Sequence, residues 1–235
     1  MNDETVDFWD RPENRDPFSL VESMAFNDIE ISGGWMAVTV VCGSFSRCLV
    51  SSYLCEPLGG FLSRILELAD FLDSQDWEYP ITDCNDIIWE GEPWCARWRL
   101  RGHEDKTVDV VLEDDSKGQN EVLLRVRLDL RVLLGATYAM ARYILTTYGL
   151  TRYQAAWMAY DFPLRNFVLL HNRVTSEAVP VESLAQDIQF LSRFILPHPA
   201  SADEELNLKS GNQECSFCVK LMKKCHSDFR PGQEV

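Results

Sequence analysis

The side chains best suited to chemistry gather near the C-terminal end: Cys215-x-x-Cys218, then Cys225-His226. Two thiolates in C-x-x-C spacing can reach one tetrahedral zinc ion at about 2.3 Å, and Cys225 or His226 can supply further ligands. As a zinc pattern it is incomplete, because only six residues separate the halves and no second knuckle follows. Neighbouring Cys and His rarely ligate together, and His198 completes a set of four only if the tail folds back. The same residues also read as a redox-active or palmitoylated thiol cluster, with Lys220, Lys223 and Lys224 lowering the thiol pKa values, or as an inert tail.

A second group is acidic: Asp70, Asp73, Asp76, Glu78, Asp83, Asp86, Glu90 and Glu92. Such a run can hold a divalent cation or supply an acid/base pair. It lacks the fixed spacing of a calcium loop and the glycine that such a loop needs at its sharp turn, so a solvated connection is expected. Four histidines, His103, His171, His198 and His226, are dispersed, and spacing gives neither His103 nor His171 a Ser, Cys or carboxylate partner. Gly43-Ser44-Phe45-Ser46 lacks the glycine that a nucleophile elbow requires two residues after its serine. Phosphate-binding and dinucleotide glycine loops are missing. A non-enzymatic role is therefore expected, with a hydrolase built from dispersed residues as one alternative.

The third group is basic and periodic. From Glu121 to Val132, Val122, Leu124, Val126, Leu128, Leu130 and Val132 alternate with a face carrying Arg125, Arg127, Asp129 and Arg131. Trp94, Ala96, Trp98 and Leu100 likewise alternate with Cys95, Arg97, Arg99 and Arg101. Side chains of a strand point alternately to opposite faces, so each run predicts a strand with one apolar and one arginine-rich face. If a strand at 107–112 lies between them, Asp109 and Glu113 fall among Arg97, Arg99, Arg125 and Arg127 as cross-strand ion-pair partners. The other reading is a docking surface for an acidic partner or an anion.

These residues need elements to hold them. Gly33-Gly34 predicts a two-residue hairpin turn between strands at 27–31 and 35–42, and a third strand follows at 45–54. Pro57 suits the first turn of a helix, and Leu58, Phe61, Leu62, Ile65, Leu66, Ala69 and Leu72 continue it at helical spacing. Further strands are expected at 87–90, 94–101, 107–112 and 121–130. A largely apolar helix at 132–148 stops at Gly149, and Thr151 with Gln154 opens a short helix through Trp157. Pro163 opens another through Leu170, and Pro180 a last one with Val181, Leu184, Ile188, Leu191 and Ile195 as its stripe. Strands first and helices last predict an α+β fold: an antiparallel twisted sheet of six to seven strands, helices packed on one face, and a helical C-terminal half. Residues 1–26 form an acidic arm that Phe8, Trp9, Phe18 and Leu20 can anchor. Residues 27–197 form a single domain, and 198–235 a polar, cysteine-containing tail expected to be disordered.

Charge narrows the partners. The 235 residues carry a formal charge of −15, which argues against nucleic acid, since neutralising phosphates takes clustered Lys and Arg. The imbalance is local. Nine carboxylates and no basic residue lie from Glu67 to Glu92, whereas seven arginines face only Asp129 and Asp161 from Arg125 to Arg173. No run approaches the ~20 apolar residues of a membrane span, and the acidic start differs from a basic targeting segment. A cytoplasmic setting with mostly reduced thiols is expected.

Gly34-Trp35-Met36-Ala37-Val38-Thr39-Val40, Ser52-Tyr53-Leu54-Cys55-Glu56-Pro57-Leu58-Gly59 and Trp89-Glu90-Gly91-Glu92-Pro93-Trp94-Cys95-Ala96-Arg97-Trp98-Arg99-Leu100 resemble small bacterial proteins of unassigned function. In those, a hairpin, an S-Y-L-x-x-P/A-L-G helix start and a W-x-x-E-P-x-x-x-x-W strand occur in this order. The resemblance spans residues 27–170. It implies architecture and a bacterial-type cytoplasmic setting, with no catalytic residue to carry over. Proteins of this size and acidity also resemble immunity proteins of toxin systems. The leading expectation is thus an acidic interaction protein, immunity-like, that meets a basic partner protein through its acidic residues and binds no cofactor. Zinc-dependent regulation through Cys215, Cys218, Cys225 and His226 is the alternative.

Overall fold

The computed structural model describes residues 8–10, 18–74, 86–92, 94–115, 121–158 and 160–176. The strands are β1 (Ser19–Leu20), β2 (Met24–Ser32), β3 (Trp35–Cys42), β4 (Phe45–Ser52), β5 (Ile87–Gly91), β6 (Trp94–Gly102), β7 (Thr107–Asp114) and β8 (Glu121–Asp129). The helices are α1 (Pro57–Ser74), α2 (Leu130–Trp157) and α3 (Leu164–Thr175). A short 3-10 turn, Phe8–Asp10, precedes them. The fold is α+β.

The strands form two sheets, where the periodicity predicts one. β2-β3-β4 is an antiparallel meander, and the other sheet runs β1-β8-β7-β6-β5. All its pairs are antiparallel except β1 with β8. The sheets meet edge to edge at β4 and β5 with side-chain ties. Ser51 Oγ donates to the Glu90 carbonyl at 3.3 Å, and Cys55 Sγ accepts the Glu90 N–H at 3.2 Å. Gly91 permits the approach, since a Cβ there would overlap the Val50 carbonyl. Strand periodicity is satisfied with or without a ladder across this line, which is why it does not distinguish one sheet from two.

Local signals explain the elements. Gly33 and Gly34 both have positive φ, +57° and +80°, as the predicted two-residue hairpin turn requires. In β2 the buried residues change phase, from Met24 and Phe26 to Ile29 and Ile31. A bulge between Asn27 and Glu30 absorbs the extra residue, with Asp28 at φ +48° and Thr39 Oγ1 donating to its carboxylate at 3.2 Å. The bulge keeps both apolar pairs inward. β8 ends before the predicted 130 or 132: the Asp129 carboxylate accepts the Arg131 N–H at 2.7 Å and caps α2. Leu130 and Leu133 then continue at helical spacing as buried residues. α2 breaks at Gly149, φ +63°, where the sequence places a stop.

One core joins the helices to both sheets. At its centre Phe61 of α1 meets Trp89 of β5 and Trp98 of β6 edge-on at 5.6 and 5.2 Å between centroids, with Phe26 of β2 alongside. Such contacts add about 0.5–1.5 kcal/mol beyond area burial. Tyr148 of α2 accepts the Ile31 N–H at 2.9 Å, and Ala156 accepts the Gly34 N–H at 2.7 Å, fixing the meander to α2. The helical C-terminal half is described only as far as Thr175. The helix expected from Pro180 lies outside the described residues.

Candidate functional site

Alternation along β6, β7 and β8 sends Arg97, Arg99, Arg101, Asp109, Glu113, Arg125 and Arg127 to the outer face of the five-stranded sheet. Register then pairs them. Arg97 lies opposite Glu113 and Arg101 opposite Asp109, while Asp109 also lies opposite Arg127. Arg97 donates to Asp86 at 2.8 Å and to Asp115 at 2.6 Å. Arg99 donates to Asp86 at 2.7 Å and to Glu113 at 2.9 Å. Arg127 grips Asp109 through Nε at 2.6 Å and a terminal nitrogen at 3.0 Å. Asp109 and Glu113 are each only 2% exposed, so removing the partner of either would leave a buried polar group unsatisfied at a large cost. Burial alone would lower the pKa of Arg97, but its hydrogen bonds to Asp115 and Asp86 outweigh that and raise it. Asp109 likewise raises that of Arg127.

The aromatic residues of the N-terminal segment complete this layer. Phe8 lies under the Arg99 guanidinium at 4.1 Å and Trp9 under Arg101 at 5.8 Å. Phe18 serves Arg125 and Arg127 at 5.5 and 5.9 Å. All are within cation–π range.

His103, in the turn after β6, places Nε2 at 2.7 Å from the Asp109 carboxylate. A terminal nitrogen of Arg127 lies 3.1 Å from the same Nε2, so His103, Asp109 and Arg127 form one polar cluster. The sequence gives His103 no carboxylate by spacing. The signal was the hairpin, which places Arg101 opposite Asp109 and so brings the next outward residue, 103, diagonal to it. A cleft lies elsewhere, lined in part by Arg47, Cys48, Cys95, Asp114 and Leu123. Its thiol Cys95 has a raised pKa, chiefly from burial and then from Asp115, which disfavours the nucleophilic thiolate. His171 is buried between α2 and α3, with Nδ1 2.8 Å from the Tyr138 hydroxyl.

Of the acidic group, Asp70 pairs with Arg173 at 2.7 Å, and Asp73 pairs with Arg173 at 2.6 Å and Lys106 at 2.9 Å. Those hydrogen bonds, Lys106 first, lower the Asp73 pKa. Asp86 is held by the arginines above. Asp76, Glu78 and Asp83 lie outside the described residues, as do Cys215, Cys218, Cys225 and His226. Among the described residues no cluster of three or more His, Cys, Asp or Glu has metal-binding geometry, and no helix is long and apolar enough to cross a membrane.

What sequence reasoning missed lies at the seam. Tyr53 and Leu54, in the turn after β4, are 50% and 48% exposed, and Ile88 on β5 is 37% exposed. Ile88 and Glu90 share the outward side of β5, and the Cys55–Glu90 hydrogen bond sets the 53–56 turn beside that strand. Glu56, Glu90 and Glu92 are exposed here, and none forms an ion pair among the described residues. Burial of part of its side chain raises the Glu56 pKa. The chain matches no family model, no curated protein and no solved structure.

Proposed function

We propose that this chain is a non-catalytic, immunity-like binding protein that engages a basic partner protein through the seam between its sheets. The observation that carries the reading is the exposure of Tyr53, Leu54 and Ile88 beside Glu56, Glu90 and Glu92. Apolar residues ringed by charge of one sign supply the contact area of an interface, with tyrosine a frequent anchor. The surrounding carboxylates steer a basic surface toward it. Asp76, Glu78 and Asp83 precede β5 in the chain and lie outside the described residues. Asp70, Asp73 and Asp86 support the reading less, because each already holds an internal cation.

The test uses the full chain as bait for its partner in the native cell, followed by association kinetics of the purified pair at two salt concentrations. Glu90→Lys with Glu92→Lys should slow association at least ten-fold at low salt and flatten its salt dependence. Tyr53→Ala should mainly speed dissociation. A partner indifferent to both changes removes the proposal.

A further inference from the structure

A cleft of about 430 Å³, partly open to solvent, lies between β4 and the neighbouring ends of β6, β7 and β8. Two irregularities of the backbone shape it. Gly91 lets β4 close on the five-stranded sheet, since the Val50 carbonyl stands where a Cβ would be. The β7–β8 ladder has a bulge: Leu112 pairs with Leu124 but Glu113 pairs with Val122, so Leu123 is the extra residue. Alternation alone would turn Val122 inward with Leu124. The bulge leaves Val122 41% exposed and makes Leu123 part of the cleft wall. Bulges re-aim side chains in this way and are frequent beside functional sites. The lining has a definite chemistry. Leu49, Val50 and Ala96 are buried and, with Leu123, form an aliphatic floor. One guanidinium, Arg47, and one carboxylate, Asp114, line the same space, both half-buried, and register sets Asp114 opposite Ala96. Both charged groups also interact within the protein, so a ligand adds to or exchanges for contacts they already make. An apolar concavity of this size with a few polar groups has the make-up of a small-molecule site.

We propose that this cleft binds a small zwitterion with an aliphatic side chain, the chemistry of an α-amino acid such as leucine. Its carboxylate meets the Arg47 guanidinium, its ammonium meets the Asp114 carboxylate, and its side chain rests on the floor of Leu49, Val50, Ala96 and Leu123. A charged group that enters a half-buried site loses water, and only an opposite charge or a hydrogen bond offsets that loss. The zwitterion carries one charge of each sign and matches both groups at once. A simple carboxylic acid sets its charge against Asp114, and a simple amine sets its charge against Arg47. Like charges brought together in this way exclude the wrong ligand. Cys95, whose pKa is raised, takes part as a thiol, a small and nearly apolar wall, so no covalent step is involved. The inference goes beyond the seam reading and uses none of its residues.

The probe is leucine, titrated calorimetrically into the full-length protein, with N-acetylleucine and leucinamide as analogues that each carry a single charge. Leucine should bind, and each analogue should bind about ten-fold or more weakly, because each lacks one charge-assisted contact. Arg47→Met and Asp114→Asn should each weaken leucine by a similar factor. Ala96→Leu fills the floor and should abolish binding. In the original chain, saturating leucine should slow alkylation of Cys48 and Cys95 and leave Cys55 unchanged, read peptide by peptide in a mass spectrometer; this measurement decides if the variants fail to fold. Absence of both heat and thiol protection with leucine in the millimolar range overturns the inference. So does equal binding of leucine and either analogue. Full affinity in folded Arg47→Met and Asp114→Asn proteins places the ligand elsewhere and overturns it as well.

Discussion

The outer face of β6 to β8 is dense with charge and has little of it to offer, whereas the seam beside β5 carries three carboxylates and none is neutralised by a described partner. On the first surface Asp109 and Glu113 are buried and each holds a cation. On the second Glu56, Glu90 and Glu92 face solvent beside exposed apolar residues. Charge density and availability are separate properties. A guanidinium gripped by two carboxylates mainly holds neighbouring strands in register, and a carboxylate without a counter-ion can act on another molecule.

The strongest way to break this contrast is Asp109→Ala. It leaves Arg127 and His103 facing a desolvated site with no anion, and removing one member of a buried pair costs about 3–5 kcal/mol. Urea unfolding should show a loss near the lower end, because Arg127 keeps access to water. A loss below about 1 kcal/mol would mean the layer is decorative.

Glu113 sharpens the point. Glu113→Leu alone leaves the Arg99 Nε without its partner, with Asp86 still on the terminal nitrogen, and should cost about 2 kcal/mol, but adding Arg99→Met should restore most of it, since apolar residues of similar volume often replace buried ion pairs without loss. A double variant no better than the single one would show that Asp86 also needs Arg99.

At the seam, Glu90→Lys with Glu92→Lys should change stability by no more than about 0.5 kcal/mol, whatever it does to association. A larger loss would make those carboxylates structural.

The smallest effects are in pH dependence. Asp73 has its pKa lowered in the folded state by Lys106 and Arg173, so its contribution is complete above the unfolded aspartate value and is lost as pH falls through the folded one. Glu56 is raised by burial and has the opposite sign: the folded state is favoured when it is protonated, and that advantage disappears as pH rises through its folded pKa. Both groups are well exposed, so solvent screening holds each effect to about a few tenths of a kcal/mol. Asp73→Asn should shrink the acid-side loss of stability, and Glu56→Gln should slightly raise stability at neutral pH. Acid titrations of the two variants that cannot be told apart would remove the distinction.

Much of this arrangement is legible in the chain because the relevant signals are local. β3 occupies 35–42 as its alternation predicts, the Gly33-Gly34 turn has the required positive φ, and Gly149 interrupts α2 where a stop was expected. The overrun of β8 has a specific cause. Leu130 and Val132 extend the two-residue period, and they also begin the helical series through Leu133 and Thr137, so periodicity alone cannot place the boundary that Asp129 caps. Asp109 and Glu113 were foreseeable as arginine partners because register follows from alternation. Asp86 and Asp115 were not, since both lie in connections that carry no periodicity. The seam rests on Gly91 and Cys55, whose meaning depends on which edges meet in space. Phe8, Trp9 and Phe18 read as anchors, but their guanidinium targets lie about ninety or more residues away along the chain.

That separation also orders events during synthesis. The segment bearing Phe8 to Leu20 leaves the ribosome before its pairing residues Val126 and Arg127, which follow more than a hundred residues later. Contacts this distant in sequence form late, after the loops between them have closed. These early-made residues are therefore among the last to settle, and a nascent chain lacks the aromatic rings of Phe8, Trp9 and Phe18 on its arginines until β8 has joined the sheet.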